Sequence, residues 1–346
     1  MFHFLHTVGV KHFDLVHDVL IHDAVHIGEG DAVPRCEGGQ LAEMALVVVR
    51  RNDQIIGAGR AELAAGGDLQ AGVAPLAHHR QVNADGGVNG KQLELSFQDS
   101  QGDPESAVAA YGKLMDWGMD VSLGCVMSGE TASVVAAAKE DDVLLLTPSG
   151  SSDSCLSGND KAFRICFYDS YQGTAAANYL SEKNLATEVG VLYQSDSDYS
   201  TGLYSSFVAE CADLGINIVE TQTFTASTST DFSTQVNALV DSGVKVVFIP
   251  FYAEEASTFL TQAKGKFADD VYFFGADGLD GILGKVEQDV SIANNVLMLT
   301  PFAADSTEEN VQSFVKAYEA AYGATPDQFA ADAYDAVYVI LSLIHI

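Results

Sequence analysis

The sequence predicts an α/β fold whose parallel sheets are covered on both faces, in a chain of 346 residues that is long enough for two domains. Three observations carry this expectation. Short continuous apolar runs, such as VLLL at 143–146 and VVFI at 246–249, lack the polar alternation of a half-exposed strand, so both of their faces should be buried. From Leu93 onward such runs alternate with helical segments of about 10 to 16 residues, the rhythm of strand–helix–strand units. Apolar residues make up 47% of the chain and charged residues 19%, which is enough to build a sizeable core.

Taken in order, Leu93–Phe97 (LELSF) reads as a strand. A helix over 103–117 follows, with Asp103 as its N-cap and Pro104 in its first turn, where a missing N–H costs nothing. A short strand at 121–123, a helix at 130–139 and the strand 143–146 continue the pattern. After the turn TPSGSSDS (147–154) come strand 163–167 and helix 172–183, then strand 189–193 and helix 199–214. Strand 216–224, helix 232–241, strand 244–249 and helix 254–266 lead to strands at 271–274 and 296–300. Two helices, 307–322 and 327 to about 340, close the readable part. Upstream of residue 82 no strand–helix unit is evident; AELAAGGDL (61–69) and APLAHHRQV (74–82) give only helical hints. The terminal LSLIHI begins a new apolar run and stops.

Charge narrows the function. With 48 acidic and 17 basic side chains the net charge is −31, which repels nucleic acid and anionic membrane surfaces. No run of 18 or more apolar residues occurs, and Met1–Gly30 lacks the uninterrupted apolar stretch of a signal peptide. The five cysteines form no CxxC pair and no metal-ligand spacing; Cys125, Cys166 and Cys211 read as small core residues, with a Cys155–Cys166 disulfide as the alternative in an oxidising compartment. Eight of nine histidines lie between His3 and His79, and none occurs from Arg80 to Ile344, so the first 82 residues and the remainder are expected to differ in origin.

That gap also limits the chemistry. A Ser-His-Asp mechanism has no imidazole in the α/β region, no SxxK accompanies the serines, and neither a P-loop nor a GxGxxG fingerprint is present. DGLDG (277–281) misses the EF-hand spacing. Neither cofactor nor metal is expected, and enzymatic activity is not. Binding turns are expected where apolar strands end, because ligands of such folds sit beyond the carboxyl ends of the strands. Ser149, Gly150 and Ser151 offer hydroxyls and backbone N–H groups to an anion, or else form a polar loop capping the next segment. Ser128 and Thr131, in MSGET, add hydroxyls at a neighbouring strand end, where they would also cap the helix that follows. Asp277, after FFGA, could receive an ammonium or be a solvated turn acid, and Tyr199 and Tyr252 could present aromatic faces or be core. A carboxylate-binding turn together with an ammonium-binding acid describes a site for an α-amino acid.

NADGGVNGKQLELSFQDSQGDPESAV (83–108), TPSGSSDS, FRICFYDSYQGTAAANYL (163–180), STDFSTQVNAL (229–239) and FFGADGLD (273–280) together resemble the type I periplasmic binding proteins, the leucine/isoleucine/valine-binding receptors of ABC importers. The resemblance runs from Asn83 to Ile340. It implies two doubly wound parallel-sheet lobes joined by a hinge: 83–168 with 301–340 as the first lobe and 169–300 as the second. It implies that Ser128 takes the ligand carboxylate, with Gly150 and Ser151 beside it and Ser149 adjacent. Tyr199 and Tyr252 fall on the second-lobe tyrosines, and Asp277 falls on the acid that meets the ammonium, where the family has Glu.

Two departures accompany it. Residues 1–82 do not match the family's opening strand, GPLTG-like turn and helix, so that unit is expected to be missing or replaced, which would open a sheet edge. Residues 341–346 are expected to be a non-native tail. The function implied is capture of an amino acid, branched-chain first, by a monomeric periplasmic or cell-surface lipoprotein that delivers it to the permease subunits of an ABC importer. The alternative is the sensor domain of a lac-repressor-type regulator or another receptor. Against the regulator, residues 1–82 hold six Lys and Arg and ten Asp and Glu, a poor composition for binding DNA.

Overall fold

A computed structural model describes residues 5–8, 45–51, 82–84, 86–88 and 90–344. Cys36 and the segments 61–69 and 74–81 lie outside them, as do the last two residues of the terminal hexapeptide. In chain order the elements begin with β1 (Leu5–Val8), β2 (Ala45–Arg51), β3 (Leu93–Asp99), α1 (Pro104–Trp117) and β4 (Val121–Ser122). They continue with α2 (Ser128–Ala137), β5 (Leu144–Thr147), β6 (Ala162–Arg164), α3 (Asp169–Glu182), β7 (Glu188–Gln194) and α4 (Asp198–Leu214). Then come β8 (Asn217–Phe224), α5 (Ser233–Ser242), β9 (Val246–Phe248), α6 (Ala253–Ala263), β10 (Tyr272–Gly275) and the short α7 (Ile282–Lys285). Last are β11 (Val296–Leu299), α8 (Glu309–Tyr322) and α9 (Gln328–Ile344). The final helix therefore continues beyond the expected end near 340, and Leu341 is buried in the core with Ile340.

The chain divides into two compact units. One takes in the described residues among Met1–Leu20 and Phe167–Ala303, the other those among Ile21–Cys166 and Ala304–Ile346. The first unit holds a sheet of order β1-β11-β10-β9-β7-β8, parallel throughout except that β1 runs antiparallel to β11. Successive residues of β9 face opposite ways, as strand geometry requires. Val247 joins a core with Val236 and Leu239 of α5 and Phe259 of α6, while Val246 and Phe248 join one with Ala176 of α3 and Phe207 of α4. With both faces covered, no position of this strand can be polar, which is why its run is uninterrupted.

The second unit has the sheet order β3-β2-β4-β5-β6. One face is covered by α1 and α2, through Leu114, Val134 and Val135, and the other by α9, through Ala336, Val337 and Ile340. Asp103 caps α1 as expected, accepting the Ser106 N–H at 2.8 Å. Upstream of residue 82, where the sequence shows no strand–helix unit, the structure has the strands β1 and β2. The slot between β3 and β4 is filled by β2, which pairs antiparallel with both. Its run of three successive valines, 47–49, is of the β-branched type enriched in strands.

Candidate functional site

Each unit carries one cluster of the expected residues at the carboxyl ends of its strands. In the second unit, the turn after β5 begins with Thr147 and Pro148 and leads through Ser149, Gly150 and Ser151. The Thr147 hydroxyl donates to the Cys125 carbonyl at 2.5 Å and accepts the Gly150 N–H at 2.8 Å, tying the turn to the segment before α2. A Cβ at Gly150 would stand 2.7 Å from the hydroxyl oxygens of both Thr131 and Thr147, so only glycine lets the turn lie this close.

Arg164, at the end of β6, donates to the carbonyls of Gly150 at 3.0 Å and of Ser152 at 2.9 Å. In a planar trans peptide the N–H points opposite to the C=O. Drawing the Gly150 carbonyl toward the guanidinium therefore aims the Ser151 N–H away from Arg164. Ser128, the first residue of α2, accepts the Ser152 N–H on its Oγ at 3.1 Å, which leaves its own proton to donate. Met127 and not Ser128 is the N-cap of α2, and no side chain caps the helix. The capping role expected for Ser128 and Thr131 is thus corrected: Ser128 lies one position inside the helix, and the Thr131 hydroxyl turns back to the Met127 carbonyl at 2.9 Å.

Two of the groups that the sequence suggests as donors are already engaged. The Gly150 N–H is used by Thr147, and the Ser149 hydroxyl donates to Asp332 of α9 at 2.6 Å, so Ser149 presents lone pairs outward and not a proton. The turn thus brings the hydroxyls of Ser128 and Ser151 near the N-terminal end of α2, and Arg164 is bonded to two of its carbonyls. In the first turn of α2, Glu130 is 1% exposed, and its carboxyl is pushed up to about 7, first by burial and further by Asp103 and Asp99. The alternative disulfide is corrected as well: Cys155 and Cys166 are free thiols, and Cys155 Sγ donates to the Gly150 carbonyl at 3.3 Å.

In the first unit, Asp277 follows β10 in a short turn and is 4% exposed. Tyr199 of α4 donates to Asp277 Oδ1 at 2.6 Å and accepts the Gly278 N–H at 2.8 Å. A Cβ on Gly278 would come within 2.6 Å of that phenol oxygen, so the residue after the acid must be glycine for the tyrosine to seat. Gln172 of α3 donates to Asp277 Oδ1 at 2.9 Å and accepts the Asp277 N–H at 3.1 Å. Tyr252 stacks on Tyr199, with ring centroids 4.6 Å apart and planes 11° from parallel. Tyr199 is fully buried, so of the two rings Tyr252 is the one with a face to present, and Tyr199 acts through its hydroxyl. Burial raises the Asp277 carboxyl above its ordinary pKa, against the hydrogen bonds from Tyr199 and Gln172 that favour the charged form. A carboxylate held out of water in this way gains most from a cation that comes to it.

Sequence reasoning missed Arg164, Gln172 and Asp332. Arg164 alone had a signal: it is the single cation between Lys161 and Lys183, at the end of a strand in a strongly acidic chain.

A family model described as periplasmic binding protein matches residues 70–345. The chain belongs to the periplasmic binding protein family. Within it the relatives are leucine/isoleucine/valine-binding proteins of the type I group. The leucine-, isoleucine-, valine-, threonine- and alanine-binding protein of Pseudomonas aeruginosa is 29% identical over 276 residues, 79% of this chain and 72% of that protein. A Leu/Ile/Val-binding protein homolog of Brucella melitensis is 29% identical over 175 residues, 50% of this chain and 47% of its own length, so the chain spans about half of some of the curated relatives it matches. Among solved structures, the substrate-binding protein LivJ of Streptococcus pneumoniae in complex with isoleucine aligns with a TM-score of 0.73 at 29% identity, covering 79% of this chain and 78% of that one. The leucine-binding protein LivK of Thermotoga maritima, at 24% identity and a TM-score of 0.72, shares the fold. These proteins are solute-binding receptors and not enzymes.

Proposed function

We propose that this periplasmic binding protein captures an α-amino acid with a branched aliphatic side chain. The observation that carries the reading is the sorting of charge preference: the turn after β5 offers donors backed by Arg164, and the turn after β10 offers a buried carboxylate. Ser128 and Ser151 hold the ligand carboxylate, with Gly150 shaping the turn and Ser149 contributing an acceptor. Asp277 holds the ammonium and Tyr252 meets the side chain. An Asp in place of Glu shortens the reach by one methylene. Isoleucine in the LivJ complex and the branched-chain names of the curated relatives support the aliphatic class. The receptor acts outside the cytoplasm as a monomer, in the periplasm or lipid-anchored at the cell surface, and delivers its ligand to the permease subunits of an ABC importer.

The test is a melting-temperature screen of the full chain against the twenty amino acids. Isoleucine, leucine or valine at about 100 times its Kd should stabilise the protein by about 2.7 kcal/mol, a readily measured rise. Asp277→Ala should abolish the rise. A cooperative melt that no amino acid shifts would sink the proposal.

A further inference from the structure

Gln172 is 2% exposed and stands 105 residues from Asp277 in sequence, yet it touches Asp277 twice. Its Nε2 donates to Oδ1 at 2.9 Å, and its Oε1 accepts the Asp277 backbone N–H at 3.1 Å. The same Nε2 lies 3.3 Å from Oδ1 of Asp169, which is fully buried at the start of α3. Reversing the amide would set its oxygen against two carboxylates and its NH2 against an N–H, so the orientation is fixed by chemistry. A side chain that grips the carboxylate and the backbone N–H of one residue removes the rotation about the Cα–Cβ bond between them. Tyr199 repeats the grip one residue on, through Oδ1 of Asp277 and the N–H of Gly278.

We infer that Gln172 is a positioning residue, whose amide locks the Asp277 carboxylate to its own backbone and so sets where a ligand ammonium is received. This rests on the reading of Asp277 given above. Among the described residues, Gln172 from α3 and Tyr199 from α4 donate to the carboxylate, Asp169 lies against Gln172 and bears on Tyr199, and Tyr252, before α6, stacks on Tyr199. Gln172 and Tyr199 are both neutral donors that favour the ionised acid, and of the two only Gln172 also holds the backbone N–H of Asp277 itself.

Gln172→Met keeps the length and removes both hydrogen bonds, and Gln172→Glu keeps the shape and adds a competing acid. Two readouts are taken: the pH midpoint of the Asp277 carboxyl carbon by NMR in the free protein, and the affinity for isoleucine across pH by calorimetry. Both variants should move the midpoint upward, and Gln172→Met should weaken isoleucine by about tenfold to a hundredfold. A lower melting temperature with an unmoved midpoint would assign Gln172 a merely structural role and overturn the inference. If Gln172→Met does not fold, the near-isosteric Gln172→Glu carries the test. Asp277→Asn separates the two claims. Unimpaired isoleucine binding in that variant overturns the role of Asp277 and the positioning claim together. Lost binding there, with wild-type behaviour in both Gln172 variants, overturns only the claim for Gln172. If wild-type protein ignores isoleucine, the NMR midpoint of the free protein still decides.

Discussion

The hydroxyl of Ser128 is asked for two hydrogen bonds at once, one accepted from Ser152 and one offered outward. Ser128→Ala should therefore cost folding stability as well as a ligand contact, because the Ser152 N–H is left buried without its acceptor. A loss of roughly 1–3 kcal/mol in ligand affinity, read by calorimetry, is expected. Asp277 carries the opposite tension. Its folded-state pKa is raised, so the ionised form opposes folding above the ordinary carboxylate range and is relieved as pH falls through the raised value. Asp277→Asn should accordingly melt higher than wild type at neutral pH, with the gap closing in acid, while losing the ligand. Wild-type affinity should fall as pH drops through that pKa, since an ammonium binds the carboxylate and not the acid; calorimetry in buffers of different ionisation enthalpy would detect the proton released. Asp277 and Ser128 were legible because each stands at the end of an apolar strand, where the fold class puts ligands. Gln172 and Asp332 were not, because each is an ordinary polar residue inside a helix whose partner lies 105 or 183 positions away. Only the closed fold gives them a role.

Helix α2 shows how an element can be tuned against its own stability. Glu130 lies at its third position, with its acid form favoured by burial and by two neighbouring carboxylates. A carboxyl raised from 4.5 to about 7 stabilises the fold at low pH and loses that contribution as pH rises through 7. Glu130→Gln should remove the dependence and gain about 3 kcal/mol well above that pH, measured by denaturant titration. Strand β9 is the opposite case, since every residue is buried and no charge is involved. Phe248, stacked on Phe207 at 4.0 Å, should cost about 3–5 kcal/mol when replaced by Ala. Continuous apolar strands of this kind were the most legible elements of the chain. The least legible was β2, since its direction and its place between β3 and β4 depend on pairing partners that no local pattern names.

For the whole molecule, a net charge of −31 sets the response to salt. Exposed pairs such as Lys245 with Asp270 neutralise little of it, and most acidic side chains have no cation to meet. Raising ionic strength from about 0.01 M to 0.15 M shortens the Debye length from about 30 Å to 8 Å, so self-repulsion is screened and the melting temperature should rise, as calorimetry would show. The division into units carries a consequence of another kind. The first unit draws its strands and helices from β7 to β11 out of one unbroken stretch, Phe167–Ala303, while the second needs residues on both sides of it. One face of the second sheet is covered by α9, which is synthesised only after the whole of Phe167–Ala303. Domains fold as units during synthesis, usually in the order they emerge. The second unit, whose strands β2 to β6 are all made before Phe167, must keep Leu93, Leu123 and Leu146 exposed while the other closes, and it depends on α9, or on a chaperone until that helix arrives, to bury them.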